Sequence, residues 1–186
     1  VSDKIGLIRN LMARVDRILI GGAMAYTFLK TLGVSTGDSR VEADLLDTAR
    51  ALLDEAKSHK VPLVLPTDHR IRLAANATIV TTPGVEIPAG GAGLDIGPST
   101  MRTFSSDLAG ARTVLWNGPV GLFEEPPFDE GSRAVAKAIV DSKAREVHRG
   151  IWVSPLLGSR EFLSSEKDAS LGMTDGHSPS SDRAGS

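Results

Sequence analysis

Leu115-Trp116-Asn117-Gly118-Pro119-Val120-Gly121-Leu122-Phe123-Glu124 is the stretch from which the fold is read. The apolar, β-type run Thr113 to Trp116 feeds into a loop with two glycines and a proline, and the loop ends in an aromatic residue and a carboxylate. A strand that empties into a glycine-rich turn leaves backbone N–H groups in the open, where an anion can reach them. In α/β sheets the crevice past the carboxyl ends of the strands is where ligands bind. Alone, Asn-Gly-Pro reads as an ordinary strand-to-helix turn. The stretches around it change the balance.

Upstream, Arg17-Ile18-Leu19-Ile20 is a short strand, apolar after its first residue. Gly21-Gly22 follows, and then Ala23 to Lys30 carries a helix pattern closed by Gly33. Strand, two glycines, helix is the phosphate-side turn of a βαβ unit. Before it, Ser2 and Asp3 are good N-caps, and Ile5, Ile8, Leu11 and Met12 predict a helix from about Asp3 to Arg14. Lys4 falls in its first turn, where the helix dipole does not favour a cation. It is either a solvated surface lysine or a cation kept for an anionic ligand.

Downstream of Gly33, Leu45, Leu46, Ala49, Leu52, Leu53 and Ala56 predict a long amphipathic helix over about Glu42 to Ser58. Pro62 to Pro66 is a buried strand trimmed by prolines. His69, just past it, is a weak candidate for a general base, because no second histidine or spaced ligand set supports it. Thr78 to Thr81 reads as a peripheral strand and Glu86 to Gly93 as a turn-rich connector. Gly91, Gly93 and Gly97 either let backbone approach a flat ligand or are plain loop glycines. Helices are predicted over about Pro98 to Leu108, with proline in the first turn, and over Gly131 to Ser142. Strands alternating with helices over short connections imply an α/β fold, a doubly wound parallel sheet of Rossmann-like type.

Composition narrows the function. The 186 residues are 41% hydrophobic and 24% charged, with a net charge of −2 and no Lys/Arg-rich block, so a nucleic-acid partner is not expected. There is no cysteine, which excludes disulfide and thiol chemistry and fits a cytoplasmic protein. No apolar run reaches the roughly 18 residues of a membrane span. G-x-G-x-x-G and G-x-x-x-x-G-K-[ST] are both missing. After about Ala144 periodicity is lost and Ser, Gly and Pro accumulate. Residues 144–186 are therefore set apart from 1–143 as a divergent tail, disordered from about Ser164, with Ile151-Trp152-Val153 as a possible extra strand.

Five blocks carry a resemblance to the phosphoglycerate kinase family, in the order and spacing of its C-terminal, nucleotide-binding domain. They are Val1 to Ile5, Gly21 to Lys30, Leu65 to Asp68, Gly93 to Pro98 and Trp116 to Glu124. The resemblance covers about residues 1–143. It implies phosphoryl transfer between 1,3-bisphosphoglycerate and ADP, giving 3-phosphoglycerate and ATP in glycolysis, with Mg2+ bound to the nucleotide. Catalysis of that kind is positioning plus electrostatic stabilisation of the moving phosphoryl group. By position, Lys4 resembles the lysine that meets nucleotide phosphates. Gly21, Gly22 and Gly93 resemble positions where backbone lies against adenine and its neighbours. Asn117, Gly118, Pro119 and Val120 resemble the nucleotide-side loop, and Glu124 the carboxylate that accepts from the ribose hydroxyls. No catalytic residue and no metal ligand is assigned to this chain.

The departures set the expectations for activity. The family's lysine directly before the position of Val1, its phosphoglycerate-binding half and its triple-glycine loop have no counterpart here, so the sheet is expected to be incomplete on its C-terminal side. Arg40 stands where the family places an apolar residue against adenine, and Ala23 replaces a glycine. The chain is thus expected to be a monomeric fragment of such a kinase, inactive in isolation. The alternative is a non-catalytic remnant with weak or no nucleotide binding. An NAD-dependent oxidoreductase shares the fold type but lacks both the glycine fingerprint and the acidic residue about 20 positions on.

Overall fold

The structure is a computed structural model and describes residues 2–142, 144 and 146–149. Its first helix, α1 (Ser2–Leu11), is followed by β1 (Ile18–Leu19) and α2 (Gly22–Thr31). A 3-10 turn at Ala43–Leu45 leads into α3 (Leu46–His59) and then β2 (Leu63–Val64). β1 and β2 pair in parallel, with Ile18 opposite Leu63 and Leu19 opposite Val64. Because strand side chains alternate between faces, the two pairs look in opposite directions. Ile18 and Leu63 pack on a cluster of α1, α2 and α3 residues that includes Ile8, Met12, Phe28 and Leu52.

Leu19 and Val64 pack instead on the cluster built by α4 (Pro98–Ala109), β6 (Thr113–Trp116) and α5 (Glu130–Asp141), with Phe104, Val114, Val135 and Ile139. Parallel strands with helices on both faces are the doubly wound arrangement that the sequence predicts. α2 is buried on more than one side, with only Ala23 and Lys30 exposed. Ala25 and Phe28 enter the first cluster, while Tyr26 and Leu29 enter a third with Ile71 and Ile87. Fully burying a Phe or Leu side chain contributes about 1.5–3 kcal/mol, so these clusters dominate the energetics. β7 (Glu146–Arg149) pairs in parallel with β6, within the stretch that the sequence reading set apart as a tail. Residue 145 and the stretch from 150 onward, Ile151-Trp152-Val153 included, lie outside the described residues.

A separate set of strands is antiparallel. β3 (His69–Leu73), β4 (Ile79–Thr81) and β5 (Gly91–Ile96) form an antiparallel sheet in the order β4-β3-β5. Gly91 to Gly93, expected in a connector, are strand residues. The reason lies in packing: a Cβ on Gly93 would come within 2.5 Å of the Tyr26 ring and hydroxyl. Glycine at 93 lets α2 sit close on β5, and strand geometry tolerates it there.

α3 ends in a left-handed turn that glycine usually makes. Lys60 has φ 57° and ψ 31°, and the Val61 N–H closes the turn on the Ala56 carbonyl at 3.0 Å. Lys60→Gly is expected to stabilise the chain by about 0.5–1 kcal/mol, because it relieves a Cβ in the left-handed region. Thermal unfolding measures this as a midpoint raised by a few degrees. An unchanged or lowered midpoint would refute it.

Candidate nucleotide site

The loops leaving β1 and β6 meet at the carboxyl ends of the parallel strands. Gly21 caps α2 with φ −126°, Gly22 turns with φ +65°, and Gly118 turns with φ +85°. The Gly22 N–H donates to the Val120 carbonyl at 2.9 Å. A Cβ on Gly21 would lie 2.7 Å from the Val120 Cβ, so the two loops touch backbone to side chain. On the far side, the Val120 N–H donates to Ser132 Oγ at 3.1 Å, from the first turn of α5. Two of the amides that the sequence leaves open to an anion are therefore already used, one to dock the loops together and one to tie the second loop to α5.

Of the predicted residues, Gly21, Gly22, Pro119 and Val120 are brought into contact. Gly118 and a half-buried Asn117 precede them on the same loop. Gly93 is linked through its neighbour, because the Leu94 carbonyl accepts the Leu122 N–H at 2.7 Å. Its own N–H goes to Ser39 Oγ at 2.9 Å, and its open side is filled by Tyr26. Glu124 is exposed on the turn after Leu122. Lys4 lies on α1, and its side chain is outside the described residues. Arg40 is exposed.

Sequence reasoning missed the two buried carboxylates that frame these loops. Asp95 is fully buried between the loop and α5, its Oδ2 accepting the Gly131 N–H at 2.7 Å and its Oδ1 the Ile96 N–H at 2.8 Å. Burial pushes its carboxyl up to about 6, against the pull of those two amides and of Arg70. Asp68 caps α4 from a distance of thirty residues in sequence, accepting from Ser99 and Thr100. Burial raises its carboxyl, but the hydroxyl and amide hydrogens outweigh this and hold it below the usual carboxylate range. The signal available was an aspartate at a strand end, which is common and does not name its helix.

His69 is interior rather than catalytic. Its ring is fully buried and tilted against Tyr26, with centroids 5.4 Å apart, and Nε2 meets the Val85 carbonyl at 3.1 Å. Burial pushes its imidazole down from the usual value. Among the described residues no group of three or more His, Asp or Glu side chains could hold a metal ion. No helix among those residues is long and apolar enough to cross a membrane.

Comparison with known proteins identifies the family. The family model for phosphoglycerate kinase matches residues 1–150, which takes in β7. The phosphoglycerate kinase of Thermus thermophilus is 53% identical over 141 residues, 75% of this chain and 36% of its own length. That of Solibacter usitatus is 51% identical over 154 residues, 81% of this chain and 38% of its own length. The phosphoglycerate kinase structure from Coxiella burnetii superposes with a TM-score of 0.75 at 37% identity, covering 81% of this chain and 39% of that one. The chain thus spans little more than a third of the length of these curated relatives. Matched by sequence and by fold, with the Rossmann-like α/β architecture of these relatives, the chain belongs to the phosphoglycerate kinase family.

Proposed function

We propose that this chain carries part of the nucleotide site of a phosphoglycerate kinase, the enzyme that moves a phosphoryl group between 1,3-bisphosphoglycerate and ADP. The observation that carries the reading is the docking of the Gly21-Gly22 turn on the Pro119-Val120 loop at the carboxyl ends of β1 and β6. That is the crevice where a doubly wound sheet takes its ligand. Gly21, Gly22 and Gly93 supply close backbone, Asn117 to Val120 the adjoining loop, Lys4 a cation for the phosphates, and Glu124 an acceptor for the ribose hydroxyls. A carboxylate suits a vicinal diol, because it offers two acceptor oxygens and no donor. Mg2+ enters on the nucleotide, coordinated by its phosphates.

Calorimetric titration with MgADP tests this. Saturable binding is expected, weakened about tenfold by Glu124→Ala, the loss of one charge-assisted contact. Lys4→Ala is expected to weaken it as well, and more so at low salt. No heat from the folded chain at millimolar ADP would overturn the reading in favour of a remnant that has lost its ligand. By itself the chain is expected to show no turnover in a coupled assay, since the phosphoglycerate-binding half is not among its motifs.

A further inference from the structure

The segment between Gly121 and α5 has no regular structure, yet it carries Glu124. It is held from one strand that is far away in sequence. Arg70 and Arg72 lie two apart on β3, on the face opposite the buried His69 and Ile71. The Arg70 guanidinium donates to the Pro127 carbonyl at 2.8 Å and pairs with Glu130 Oε2 at 2.7 Å. Arg72 pairs with Glu125, and its guanidinium carbon lies 5.0 Å from the centre of the Phe128 ring. Phe128 is fully buried. Two arginines thus grip Glu125, Pro127, Phe128 and Glu130, all just past Glu124.

We propose that Arg70 and Arg72 are positioning residues for nucleotide binding, a clamp that fixes the segment after Gly121 so that Glu124 meets the ribose hydroxyls of a nucleoside diphosphate. The proposal rests on the site reading given above and adds to it the residues that make Glu124 effective. The chemistry selects arginine. Its planar fork holds a carbonyl and a carboxylate at once, and its face stacks on an aromatic ring, neither of which an ammonium reproduces. An exposed carboxylate on an unrestrained turn loses chain freedom when it binds, whereas a turn already held in place has little left to lose. Arg70 is mostly buried, with 14% of its side chain exposed, so its pair with Glu130 is screened less than an open surface pair.

The test uses the full chain, its Arg70→Ala/Arg72→Ala double variant, Arg72→Lys and Glu124→Ala. Each is titrated with MgADP and with 2′,3′-dideoxy-ADP, which lacks both ribose hydroxyls. The parent is expected to prefer ADP. The double variant is expected to lose about fivefold in ADP affinity and nothing for the dideoxy nucleotide. Arg72→Lys, which keeps the charge and serves if the double variant fails to fold, is expected to lose about twofold in the same selective way. Amide exchange in residues 122–130 is expected to quicken in both, with α2 and β5 unchanged. Equal losses for the two nucleotides, or an unchanged preference for ADP, would overturn the clamp. If Glu124→Ala leaves the preference intact, the ribose role of Glu124 falls and the clamp with it. If Glu124→Ala abolishes it and the arginine variants do not, only the clamp falls. A folded parent that binds neither nucleotide overturns both.

Discussion

Alanine at Asp68 is expected to lower the unfolding free energy by about 3 kcal/mol, read as a lower urea midpoint with an unchanged slope. α4 starts at Pro98, and its own N-cap residue is Gly97, which has no side chain to offer. The orphan amides of the first turn are satisfied from the β2–β3 junction instead. Asp68 Oδ2 accepts the Ser99 N–H at 2.8 Å, and Oδ1 accepts the Thr100 N–H at 2.7 Å and the Thr100 hydroxyl at 2.6 Å. Thr100 Oγ accepts in turn from the Thr67 amide at 3.0 Å, so cap and junction are one network. Asp68 is only 5% exposed, which leaves water little room to replace it. An N-cap is worth about 1 kcal/mol, and bonds to a buried charge about 1.5–3 kcal/mol each but not additively, so the sum settles near the stated value. The carboxyl titrates below its ordinary value of 3.8, so its contribution is full above about pH 4 and is lost as the pH falls through the folded value. Asp68→Asn should therefore flatten the acid limb of the stability curve. A loss under about 1 kcal/mol for the alanine variant would mean that solvent caps α4 as well.

Much of this frame is legible in the sequence because it repeats. Three of the predicted helices, α2, α4 and α5, lie within two residues of their observed ends, since each carries a long apolar stripe. The strand-glycine-helix turn at Gly21 and the loop after Trp116 were readable for the same reason: composition changes sharply there. What escaped is short or non-local. β3 alternates His-Arg-Ile-Arg-Leu, but five residues with charged alternates look like a loop until β4 and β5 flank them. β5 opens Gly-Ala-Gly, which argues against a strand unless Tyr26 is known to need the space. Asp68, Asp95, Arg70 and Arg72 act on elements thirty to sixty residues away, and local spacing does not record such pairings. The candidate site residues were assigned by resemblance, and the residues packed around them by geometry.

Gly131→Ala is expected to cost about 2–3 kcal/mol although it replaces glycine by alanine in the first turn of a helix, where propensity alone predicts a gain of up to about 1 kcal/mol. The reversal of sign comes from Asp95. A Cβ on Gly131 would lie 2.2 Å from Asp95 Oδ1 and 2.6 Å from Ile96 Cγ1. Asp95 can swing aside only by giving up the backbone amides tied to both of its oxygens, and Gly121 leaves the same carboxylate room only because it too lacks a Cβ. Gly6→Ala on α1 is the control, with nothing within 4 Å of its added Cβ, and it should stabilise by about 0.5–1 kcal/mol. The pH dependence supplies a second readout. The Asp95 carboxyl is raised from 3.8 to about 6, so the native state holds its proton more tightly than the unfolded chain. Its contribution is full below pH 4 and is lost as the pH rises through 6, a fall of about 3 kcal/mol at most. Pushing Asp95 off its amide donors removes the interactions that favour the charged form, so in Gly131→Ala that fall should extend to higher pH and deepen. Urea unfolding of the two alanine variants between pH 4 and 8 decides the matter. If Gly131→Ala gains as much as Gly6→Ala, and its pH profile overlays the parent's, then Asp95 yields freely and the packing that joins the Gly121 loop to α5 carries no energetic weight.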